Sequence, residues 1–490
     1  MDTETLLAPT PVWSGKIYSN GWKNPGNGTV EVIEKATGAR LETMGIASPK
    51  EVAEAAATAR QAQKDWGNLS GPKRGDILRE FSRLLLENAK EISEQLIRET
   101  GSMAAKAKWE VQITAREFIE AANMASQPRG YLTATLEAGF QSIARRKPLG
   151  VVGIITPWNS PIILAARGIG PALAMGNAVL LKPDVQTPIV GGVVFAQLLE
   201  QAGLPKGLFH VLPGGPETGE ALVKEPLVNM ISFTGSTRAG KIVGPTASGL
   251  LKRVVLELGG DNPYIVTDDV DIEAAASAGA WGSFFHQGQI CLTAGRHIVH
   301  ESIAEAYTEA LVRKAKALIV GNPIDEKVQV GPVVNEKQAA NVERIVTETV
   351  AKGAKVLTGG TRNGIFFQPT VITGVKPGMA AFDEEIFGPV APITTFKTDE
   401  EAIELANGTQ YGLTAAVVSN NLARAQRIAD GLHSGVVHIN DQTVVHGVYG
   451  PIGGVNSSGN GFGHGRVSDA DTFSEWQWIT THESLPAYPF

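Results

Sequence analysis

The chain of 490 residues contains a single cysteine, Cys291. One cysteine allows no internal disulfide, which predicts a reducing, cytoplasmic compartment. Basic residues are fewer than acidic ones, since the chain has 43 Lys and Arg but 50 Asp and Glu, which gives a formal net charge of −7. An acidic protein has no surface that attracts a nucleic acid or an anionic membrane, so neither partner is expected. The first residues lack a basic segment followed by an apolar one, and we predict no signal peptide.

Long apolar runs are absent except at residues 149–181, where Arg167 is the one charge. Prolines and glycines interrupt this run, and a spanning helix would have to satisfy the backbone groups that they free. A strand, loop, helix and strand buried in a parallel sheet explain both the apolar composition and the interruptions. The run therefore predicts a buried unit of this kind and not a membrane span.

From residue 149 onward, short apolar runs alternate with helical segments. This alternation is typical of a doubly wound parallel α/β sheet, in which dinucleotides bind at the carboxyl ends of the strands. A length of 490 residues favours two or three domains. The predicted strands form a first group at 151–155, 178–181, 208–212, 230–233 and 254–258, and a second group at 264–266, 297–300, 355–357, 390–396, 415–419 and 435–439.

The first 130 residues show helical periodicity but few side chains that indicate chemistry. An Ala-rich pattern predicts a helix at 49–66, and an apolar stripe predicts one continuous helix at 73–99. The residues of the stripe are assigned to the core and are Ile77, Phe81, Leu84, Leu85, Ile92 and Leu96.

Three polar residues, Cys291, Glu257 and Asn159, stand where a loop or a strand end would present them to a cleft. A lone cysteine more often serves as a small buried hydrophobe, so Cys291 by itself indicates little. Glu257 ends an apolar strand, and Asn159 lies between two prolines after another. A thiol, a carboxylate and an amide donor together suit covalent catalysis with oxyanion stabilisation. The second strand group begins after Glu257, so we expect the site at a domain boundary.

Seven short motifs follow one another along the chain. They are Thr156-Pro-Trp-Asn159, Leu181-Lys182-Pro183, Phe233-Thr-Gly235-Ser236-Thr, Leu256-Glu257-Leu-Gly-Gly260, Gly288-Gln-Ile-Cys291, Glu384-Glu385-Ile-Phe387-Gly-Pro389 and Gly453-Gly-Val-Asn-Ser-Ser-Gly459. In this order they resemble the aldehyde dehydrogenase superfamily along essentially the whole chain. The resemblance implies a Rossmann-type cofactor domain at 1–130 and 149–259, an α/β catalytic domain at 260–460, and a small β oligomerisation element at 131–148 and 461–490.

The activity that the resemblance implies is the NAD(P)-dependent oxidation of an aldehyde to a carboxylic acid. Cys291 would attack the aldehyde carbon, and the thioester left after hydride transfer would be hydrolysed with Glu257 as general base. Asn159 would donate to the oxyanion together with the backbone N–H of Cys291. The partner is a small-molecule aldehyde, no metal ligand is assigned, and the implied assembly is a homodimer or homotetramer.

The same resemblance assigns a set of residues to the dinucleotide. They are Ile155, Thr156, Pro157, Trp158, Lys182, Asp184, Gly215, Gly219, Phe233, Gly235, Ser236, Leu258, Glu385 and Phe387. Lys182 would bind the adenosine ribose, and the helix that starts at Ser236 would hold the pyrophosphate. NAD-preferring members of the family commonly have Ser-Glu where this chain has Asp184-Val185. No arginine or second lysine stands beside Asp184 to bind a 2′-phosphate, so we predict NAD and leave NADP open.

Four residues are assigned to the substrate pocket, namely Ser160, Ile290, Leu292 and Tyr449. Ser160 occupies a position where many aliphatic-aldehyde members of the family have an aromatic residue. Ile290 and Leu292 flank the cysteine with apolar side chains. An uncharged, roomy slot of this kind would suit a flat ring.

Two further segments, 182–188 and 446–452, resemble the members that oxidise benzaldehydes, such as the vanillin, salicylaldehyde and hydroxybenzaldehyde dehydrogenases. Within the second segment, Tyr449 or His446 would hydrogen-bond a ring hydroxyl. The substrate predicted from the sequence is therefore an aromatic aldehyde.

Several alternatives stay open. The substrate could be an aliphatic aldehyde or a semialdehyde of the same superfamily. A CoA-acylating enzyme commonly lacks the equivalent of Glu257, and a non-catalytic dinucleotide-binding relative tends to lose the nucleophile, so the residues present disfavour both. A cofactor-independent Cys-His hydrolase with His286 as base would leave the motifs around Lys182 and Ser236 without a purpose.

Overall fold

The computed structural model of the protein describes residues 6–7, 12–136, 138–445, 447–461 and 463–490. Within these ranges the strands are β1 Ile17–Ser19, β2 Trp22–Lys23, β3 Thr29–Ile33, β4 Arg40–Gly45, β5 Gly130–Leu132, β6 Phe140–Pro148, β7 Val151–Ile155, β8 Ala178–Lys182, β9 Phe209–Val211, β10 Met230–Thr234, β11 Arg253–Glu257, β12 Asn262–Val266, β13 Ala294–His300, β14 Lys355–Thr358, β15 Arg362–Asn363, β16 Phe366–Phe367, β17 Thr370–Thr373, β18 Val390–Phe396, β19 Thr414–Val418, β20 Val436–Ile439 and β21 Ser474–His482.

The α-helices alternate with these strands. They are α1 Pro49–Asn68, α2 Gly71–Glu87, α3 Ala89–Thr100, α4 Ala104–Ala125, α5 Pro161–Ala174, α6 Val194–Gln201, α7 Pro216–Lys224, α8 Thr237–Gly249, α9 Ile272–Phe284, α10 Ala304–Ala317, α11 Glu336–Ala351, α12 Ala380–Asp383, α13 Asp399–Asn407, α14 Leu422–Asp430 and α15 Arg466–Thr472. A π-helical turn at Ile189–Val193 leads directly into α6.

The first large sheet has the strand order β11-β10-β7-β8-β9-β1-β2. The strands from β11 to β9 pair in parallel, and β1 and β2 extend the sheet with antiparallel pairs. Every residue of β7 and β8 is buried, and α1 and α5 both pack against these two strands. Apolar strands covered in this way are what a doubly wound sheet requires, and the predicted α/β fold class is confirmed.

The second large sheet has the order β14-β17-β18-β13-β12-β19-β20 and is parallel except for the β14–β17 pair. The chain passes from the first sheet to the second between Glu257, the last residue of β11, and Asn262, the first of β12. Cys291 lies in the loop that enters β13 of the second sheet. The crossing brings the ends of β11 and of this loop to the same part of the molecule.

The third sheet is small and antiparallel, with the order β21-β6-β5. Its pairing runs through nine residues, from Ser474 opposite Pro148 to His482 opposite Phe140. The sheet keeps large apolar side chains in solvent, since Trp478 is 72% and Leu132 is 81% exposed.

Residues 149–181 form β7, α5 and β8, which is the unit that their sequence predicts. All 14 residues of α5 are buried, so an apolar helix here packs inside the protein. In the ranges that the structure describes, no helix is long and apolar enough to cross a membrane.

The prediction of one helix at 73–99 is wrong, because α2 ends at Glu87 and α3 begins at Ala89. Asn88 between them has φ −96° and ψ 12°, and its side-chain amide donates to the backbone oxygen of Leu84 at 2.8 Å. An asparagine that bonds to the nearby backbone competes with the helix. The short N-terminal strands β1 to β4 and strand β17 were also not predicted.

Candidate active site

A cavity of about 250 Å³ opens between the ends of the first sheet and the Cys291 loop. It is lined by residues from both large sheets and from α11: Pro157, Trp158, Asn159, Leu164, Thr234, Gly235, Ser236, Leu258, Gly259, Cys291, Gln338, Asn341, Glu385 and Phe387. The cavity brings together two of the three residues predicted for catalysis and many of those predicted for the cofactor.

The other predicted residues lie outside this lining. They are Ile155, Thr156, Ser160, Lys182, Asp184, Gly215, Gly219, Phe233, Glu257, Ile290, Leu292 and Tyr449. Tyr449 is 58% exposed, so its place in a substrate pocket stays a prediction. His446 lies outside the described residues.

Cys291 follows a backbone turn in which three consecutive residues have positive φ. The values are 51° for His286, 57° for Gln287 and 67° for Gly288. A Cβ atom on Gly288 would lie 2.2 Å from the backbone oxygen of Gly388. The close approach of these two backbone segments therefore requires glycine at position 288. A left-handed backbone conformation is unfavourable for residues other than glycine and is maintained only by the surrounding structure. Such conformations cluster at functional sites.

Asn262 holds the loop on the other side of Cys291. Its side-chain amide donates to the backbone oxygens of Cys291 at 2.8 Å and of Thr293 at 2.7 Å. Its side-chain oxygen accepts from the N–H of Thr414 at 3.1 Å. The cysteine is therefore presented by a loop with hydrogen bonds to the body of the second sheet.

Asn159 is 3% exposed and lines the cavity beside the cysteine. Its Nδ2 donates to the backbone oxygen of Gln289 at 2.8 Å, which fixes the side chain against the Cys291 loop. A primary amide has two N–H groups, so a second donor remains for an oxygen bound in the cavity.

Glu257 is 3% exposed, and one of its carboxylate oxygens is buried without a hydrogen-bond partner among the described residues. Burial raises its pKa to about 7, while the guanidinium of Arg167 and the backbone N–H of Gly454 act in the opposite direction. A carboxyl group with a pKa near neutrality is suited to take up and release protons.

The Cys291 thiol is partly exposed. Its pKa is raised to about 12, first by burial and then by the charge of Glu257, while Arg167 lowers it. The charge of Arg167 thus acts on the ionisation of both the thiol and the carboxyl group. His286 is fully buried, its pKa is well below the ordinary value because burial disfavours the charged ring, and among the described residues no hydrogen bond joins it to Cys291. This arrangement disfavours a Cys-His hydrolase.

The cofactor side of the cavity is formed by the start of α8. Ser236 caps this helix with a hydrogen bond from the N–H of Ala239 at 3.3 Å, and the other N–H groups of the first turn lack helical partners. A Cβ atom on Gly235 would lie 2.7 Å from the ring of Phe233, so the backbone turns tightly here. A helix start of this kind is suited to a pyrophosphate.

Two aromatic rings and a carboxyl group face the start of α8. The rings of Trp158 and Phe387 lie edge to face with centroids 5.5 Å apart. Glu385 accepts from the N–H of Gly260 at 3.0 Å, and a Cβ atom on Gly259 would lie 2.3 Å from its carboxylate. Burial raises the pKa of Glu385 to about 8.

Lys182 ends β8 beside Ile155 of β7 and is 9% exposed. Its stem lies above α7, because a Cβ atom on Gly219 would be 3.6 Å from the Cδ and Cε atoms of Lys182. The ammonium group has no hydrogen bond among the described residues, and burial lowers its pKa. The buried ammonium interacts electrostatically with the carboxylate of Asp184, and because its N–H groups make no hydrogen bond to the described residues, they fit the hydroxyl groups of a ribose next to the start of α7 at Gly215.

A second lysine lies near Asp184, contrary to the expectation from the neighbouring sequence. Lys35 is 8% exposed, and its ammonium interacts with the carboxylates of Glu99 and Asp184. It comes from the loop after β3, about 150 residues away in the chain, so no local pattern could indicate it. The ribose end of the site thus contains positive as well as negative charge.

An apolar cluster packs against Cys291. It consists of the buried residues Phe285, Ile290, Leu292 and Leu413, with Met103, Cys291 and Val444 at its edge. The ring of Phe285 stacks on Trp281 at 4.5 Å and meets the edge of Trp109 at 6.4 Å. The predicted apolar neighbours Ile290 and Leu292 are therefore part of a wall with aromatic members.

Five lining residues were not predicted, namely Leu164, Thr234, Gly259, Gln338 and Asn341. Gln338 and Asn341 come from α11, whose apolar stripe gives no sign of a cavity. Gln338 donates to the backbone oxygens of Ile386 at 3.1 Å and Phe387 at 2.9 Å and so supports the turn that carries Phe387. The described ranges contain no group of three or more His, Cys, Asp or Glu that could hold a metal ion.

Comparison with known proteins agrees with this geometry. The aldehyde dehydrogenase family profile matches residues 22–479. The vanillin dehydrogenase of Amycolatopsis sp. is 46% identical over 480 residues, which is 98% of each chain. The benzaldehyde dehydrogenase (NAD+) of Pseudomonas putida is 44% identical over 480 residues, covering 98% of this chain and 99% of that one. The crystal structure of Staphylococcus aureus betaine aldehyde dehydrogenase with NAD+ is 30% identical and superimposes with a TM-score of 0.95, covering 98% of this chain and 97% of that one. The chain belongs to the aldehyde dehydrogenase family.

Proposed function

We propose that the protein oxidises an aromatic aldehyde to the carboxylic acid, with Cys291 as nucleophile, Asn159 as oxyanion donor and Glu257 as general base. The observation that carries the proposal is the cavity in which Cys291 and Asn159 face the start of α8, and the buried carboxylate of Glu257 acts on the pKa of the thiol. Membership of the family makes the protein an NAD(P)-dependent enzyme.

In the first step the thiol of Cys291 gives its proton to Glu257, and the sulfur adds to the aldehyde carbon. The carbonyl oxygen becomes an alkoxide, which accepts hydrogen bonds from the free N–H of the Asn159 amide and from the backbone N–H of Cys291. Such donors stabilise the charge as it forms, because they are already oriented. NAD, when bound, would accept the hydride released from the C–H bond of this carbon as the C=O bond re-forms, which would leave the carbon as a thioester of Cys291.

Before the second step Glu257 releases to solvent the proton that it took from the thiol. Its carboxylate then takes a proton from a water molecule as the oxygen of that water adds to the thioester carbon, and this proton returns to the sulfur when the thiolate leaves. The same two N–H groups stabilise the new oxyanion, the bond from carbon to sulfur breaks, and the acid leaves. A pKa of about 7 suits Glu257 to act in both steps, because the carboxylate is then available near neutral pH and its protonated form is not too weak an acid.

The dinucleotide would lie along the carboxyl ends of the first sheet. Lys182 would bind the adenosine ribose, the first turn of α8 the pyrophosphate, and Glu385 and Phe387 the nicotinamide end. The buried ammonium of Lys182, which makes no hydrogen bond to the described residues, supports this assignment. NAD is the proposed cofactor, with NADP as the alternative.

An aromatic substrate is supported by the apolar wall beside the cysteine. Phe285, Ile290 and Leu292 are each less than 10% exposed and belong to the apolar cluster against which Cys291 packs, so a planar apolar ring that leaves water beside them is stabilised by the hydrophobic effect. Full-length relatives at 44% and 46% identity are named for benzaldehyde and vanillin. Short aliphatic aldehydes or semialdehydes remain the alternative, since the wall would also accept an alkyl chain.

We also propose the division of labour, assembly and compartment implied by the sequence. Residues 1–130 and 149–259 bind the dinucleotide, 260–460 carry the nucleophile, and 131–148 with 461–490 join subunits into a homodimer or homotetramer in the cytoplasm. The exposed apolar side chains of the third sheet support an intersubunit surface. Light scattering on a sizing column tests the assembly, and a monomer would contradict it.

The test of the proposed activity is the rate of absorbance change at the reduced-nicotinamide band. Benzaldehyde, 4-hydroxybenzaldehyde and hexanal are each assayed with NAD and with NADP, beside Cys291→Ala as the matched control. Reduction with the aromatic aldehydes that disappears in the variant is the expected result. A clear preference for hexanal would move the substrate to the aliphatic class, and no reduction despite cofactor binding would reject the activity.

A further inference from the structure

Two charged residues of α4, Lys106 and Glu110, are completely buried behind the loop that carries Asn159. They are four residues apart on one face of the helix, and the ammonium of Lys106 is hydrogen-bonded to the carboxylate of Glu110. Burial of an ion pair has a desolvation cost that is offset only by good geometry and further hydrogen bonds. The remaining hydrogen bonds of the pair therefore indicate its role.

The ammonium of Lys106 has one further partner. Its Nζ donates to the backbone oxygen of Asn159 at 2.9 Å. This hydrogen bond acts on the backbone of the residue whose side chain is assigned to the oxyanion, and the side chain itself donates to Gln289. Asn159 is thus held at its backbone by α4 and at its side chain by the Cys291 loop.

The carboxylate of Glu110 binds the helix that follows Asn159. Its Oε1 accepts from the N–H of Ile162 at 3.1 Å and of Ile163 at 3.4 Å. These are the first N–H groups of α5, because Pro161 has none, and the N-cap residue Ser160 makes no side-chain capping bond. Glu110 therefore takes the place of the missing cap. Its negative charge also interacts favourably with the positive, N-terminal end of the helix dipole.

We infer that Lys106 and Glu110 are positioning residues, which hold the backbone on both sides of Ser160 so that the Asn159 amide meets the oxygen of the bound aldehyde. The inference rests on the proposed function, because it assigns the pair to the same oxyanion donor. A misplacement of about 1 Å in a reacting geometry can lower a rate by about a hundredfold. Release of the Asn159 backbone should therefore reduce turnover more than binding.

The experiment uses the double variant Lys106→Met/Glu110→Gln in the full-length protein. Methionine fills the space of the lysine stem but cannot donate to Asn159, and glutamine keeps an oxygen for the N–H groups of α5 without leaving an unpaired charge. The pair is changed both in the wild type and in Asn159→Ala. Folded protein is quantified by circular dichroism and cofactor affinity by fluorescence quenching.

In the wild-type background we expect kcat with benzaldehyde to fall by about tenfold or more, with KM and NAD affinity changed by less than about twofold. In Asn159→Ala the same double change should lower kcat by less than about twofold, because the donor that it positions is already missing. An equal loss in both backgrounds, or an unchanged kcat in the first, would overturn the inference.

Lys252→Met is the matched control, since Lys252 also donates to a backbone oxygen, that of Glu225, but does not line the cavity and precedes β11 at the end opposite to Glu257. Hydrolysis of p-nitrophenyl acetate gives a second readout, which uses Cys291, Asn159 and Glu257 but needs no cofactor. If the wild type oxidises no aldehyde, the proposed function fails, and the inference is decided by ester hydrolysis and by crystal structures of the parent and double variant. An Asn159 amide that stays on Gln289 in the variant crystal would then overturn it.

Discussion

The side-chain amide of Asn159 donates to the backbone oxygen of Gln289 at 2.8 Å and so joins the loop after β7 to the loop that carries Cys291. One hydrogen bond thus links the two sheets at the point where the nucleophile is presented. The amide is oriented before any substrate binds, and its second N–H is available to an oxyanion.

Asn159→Ala is therefore expected to lower kcat by about 10² to 10³, which is about 2.7 to 4 kcal/mol of transition-state stabilisation. NAD affinity should change little, because the amide faces the thiol side of the cavity. Steady-state kinetics with benzaldehyde measure the loss, and Asn123→Ala on the exposed face of α4 is the control. A loss below about threefold would mean that Asn159 is not the oxyanion donor.

Glu257 leads to a prediction for the pH dependence of the reaction. Burial raises its pKa to about 7, so the carboxyl group is protonated below this pH and cannot accept a proton. We expect kcat/KM to rise as the pH increases through about 7 and then to level off. Glu257→Gln should lower the rate and abolish this rise. If kcat/KM of the variant still rises through about pH 7, the rise belongs to another ionisable group.

Arg167 lies in α5 and is 7% exposed, and its charge lowers the pKa of both Glu257 and Cys291. Arg167→Leu removes this charge, so both pKa values should rise and the rising limb of the pH profile should move to higher pH. Arg167→Lys keeps a positive charge and is expected to move the limb less. A midpoint that stays the same in Arg167→Leu would contradict the electrostatic link.

Much of this site follows from local sequence, because each of Cys291, Glu257 and Asn159 ends an apolar segment or lies in a glycine-flanked loop. Strand ends of a parallel sheet converge at one edge, so their placement near the cofactor motifs could be expected. The strands β7, β8, β10 and β11 were found for the same reason, since buried parallel strands are continuous apolar runs.

Lys106 and Glu110 show what local pattern cannot predict. Charged residues four apart in an Ala-rich helix usually form an exposed pair, and nothing in their own segment indicates that α5 and the Asn159 loop will cover them. The same limit applies to Lys35, whose approach to Asp184 depends on how a distant loop packs. Asn88 is a different case, because a local hydrogen bond from its side chain breaks a helix whose apolar stripe continues.

The wall beside Cys291 predicts a difference between substrates. Phe285 is 8% exposed and lies between the rings of Trp281 and Trp109. Phe285→Ala removes a flat contact surface, and we expect kcat/KM for benzaldehyde to fall by about tenfold, in line with the roughly 1 to 3 kcal/mol of one apolar contact in a pocket. Hexanal, which has no ring, is the control substrate and should lose less. Equal losses of kcat/KM for both aldehydes would mean that Phe285 does not select for aromatic substrates.

The charges at the ribose end predict how cofactor preference can be changed. The Asp184 carboxylate would repel a 2′-phosphate, whereas the Lys35 ammonium, which interacts with it, would attract one. Asp184→Ala should therefore raise the ratio of kcat/KM with NADP to that with NAD by about tenfold or more, which is about 1.4 kcal/mol. Adding Lys35→Met to this variant should reverse most of the gain, because the remaining positive charge is then lost. A ratio that does not respond to either substitution would mean that another part of the site discriminates the two cofactors.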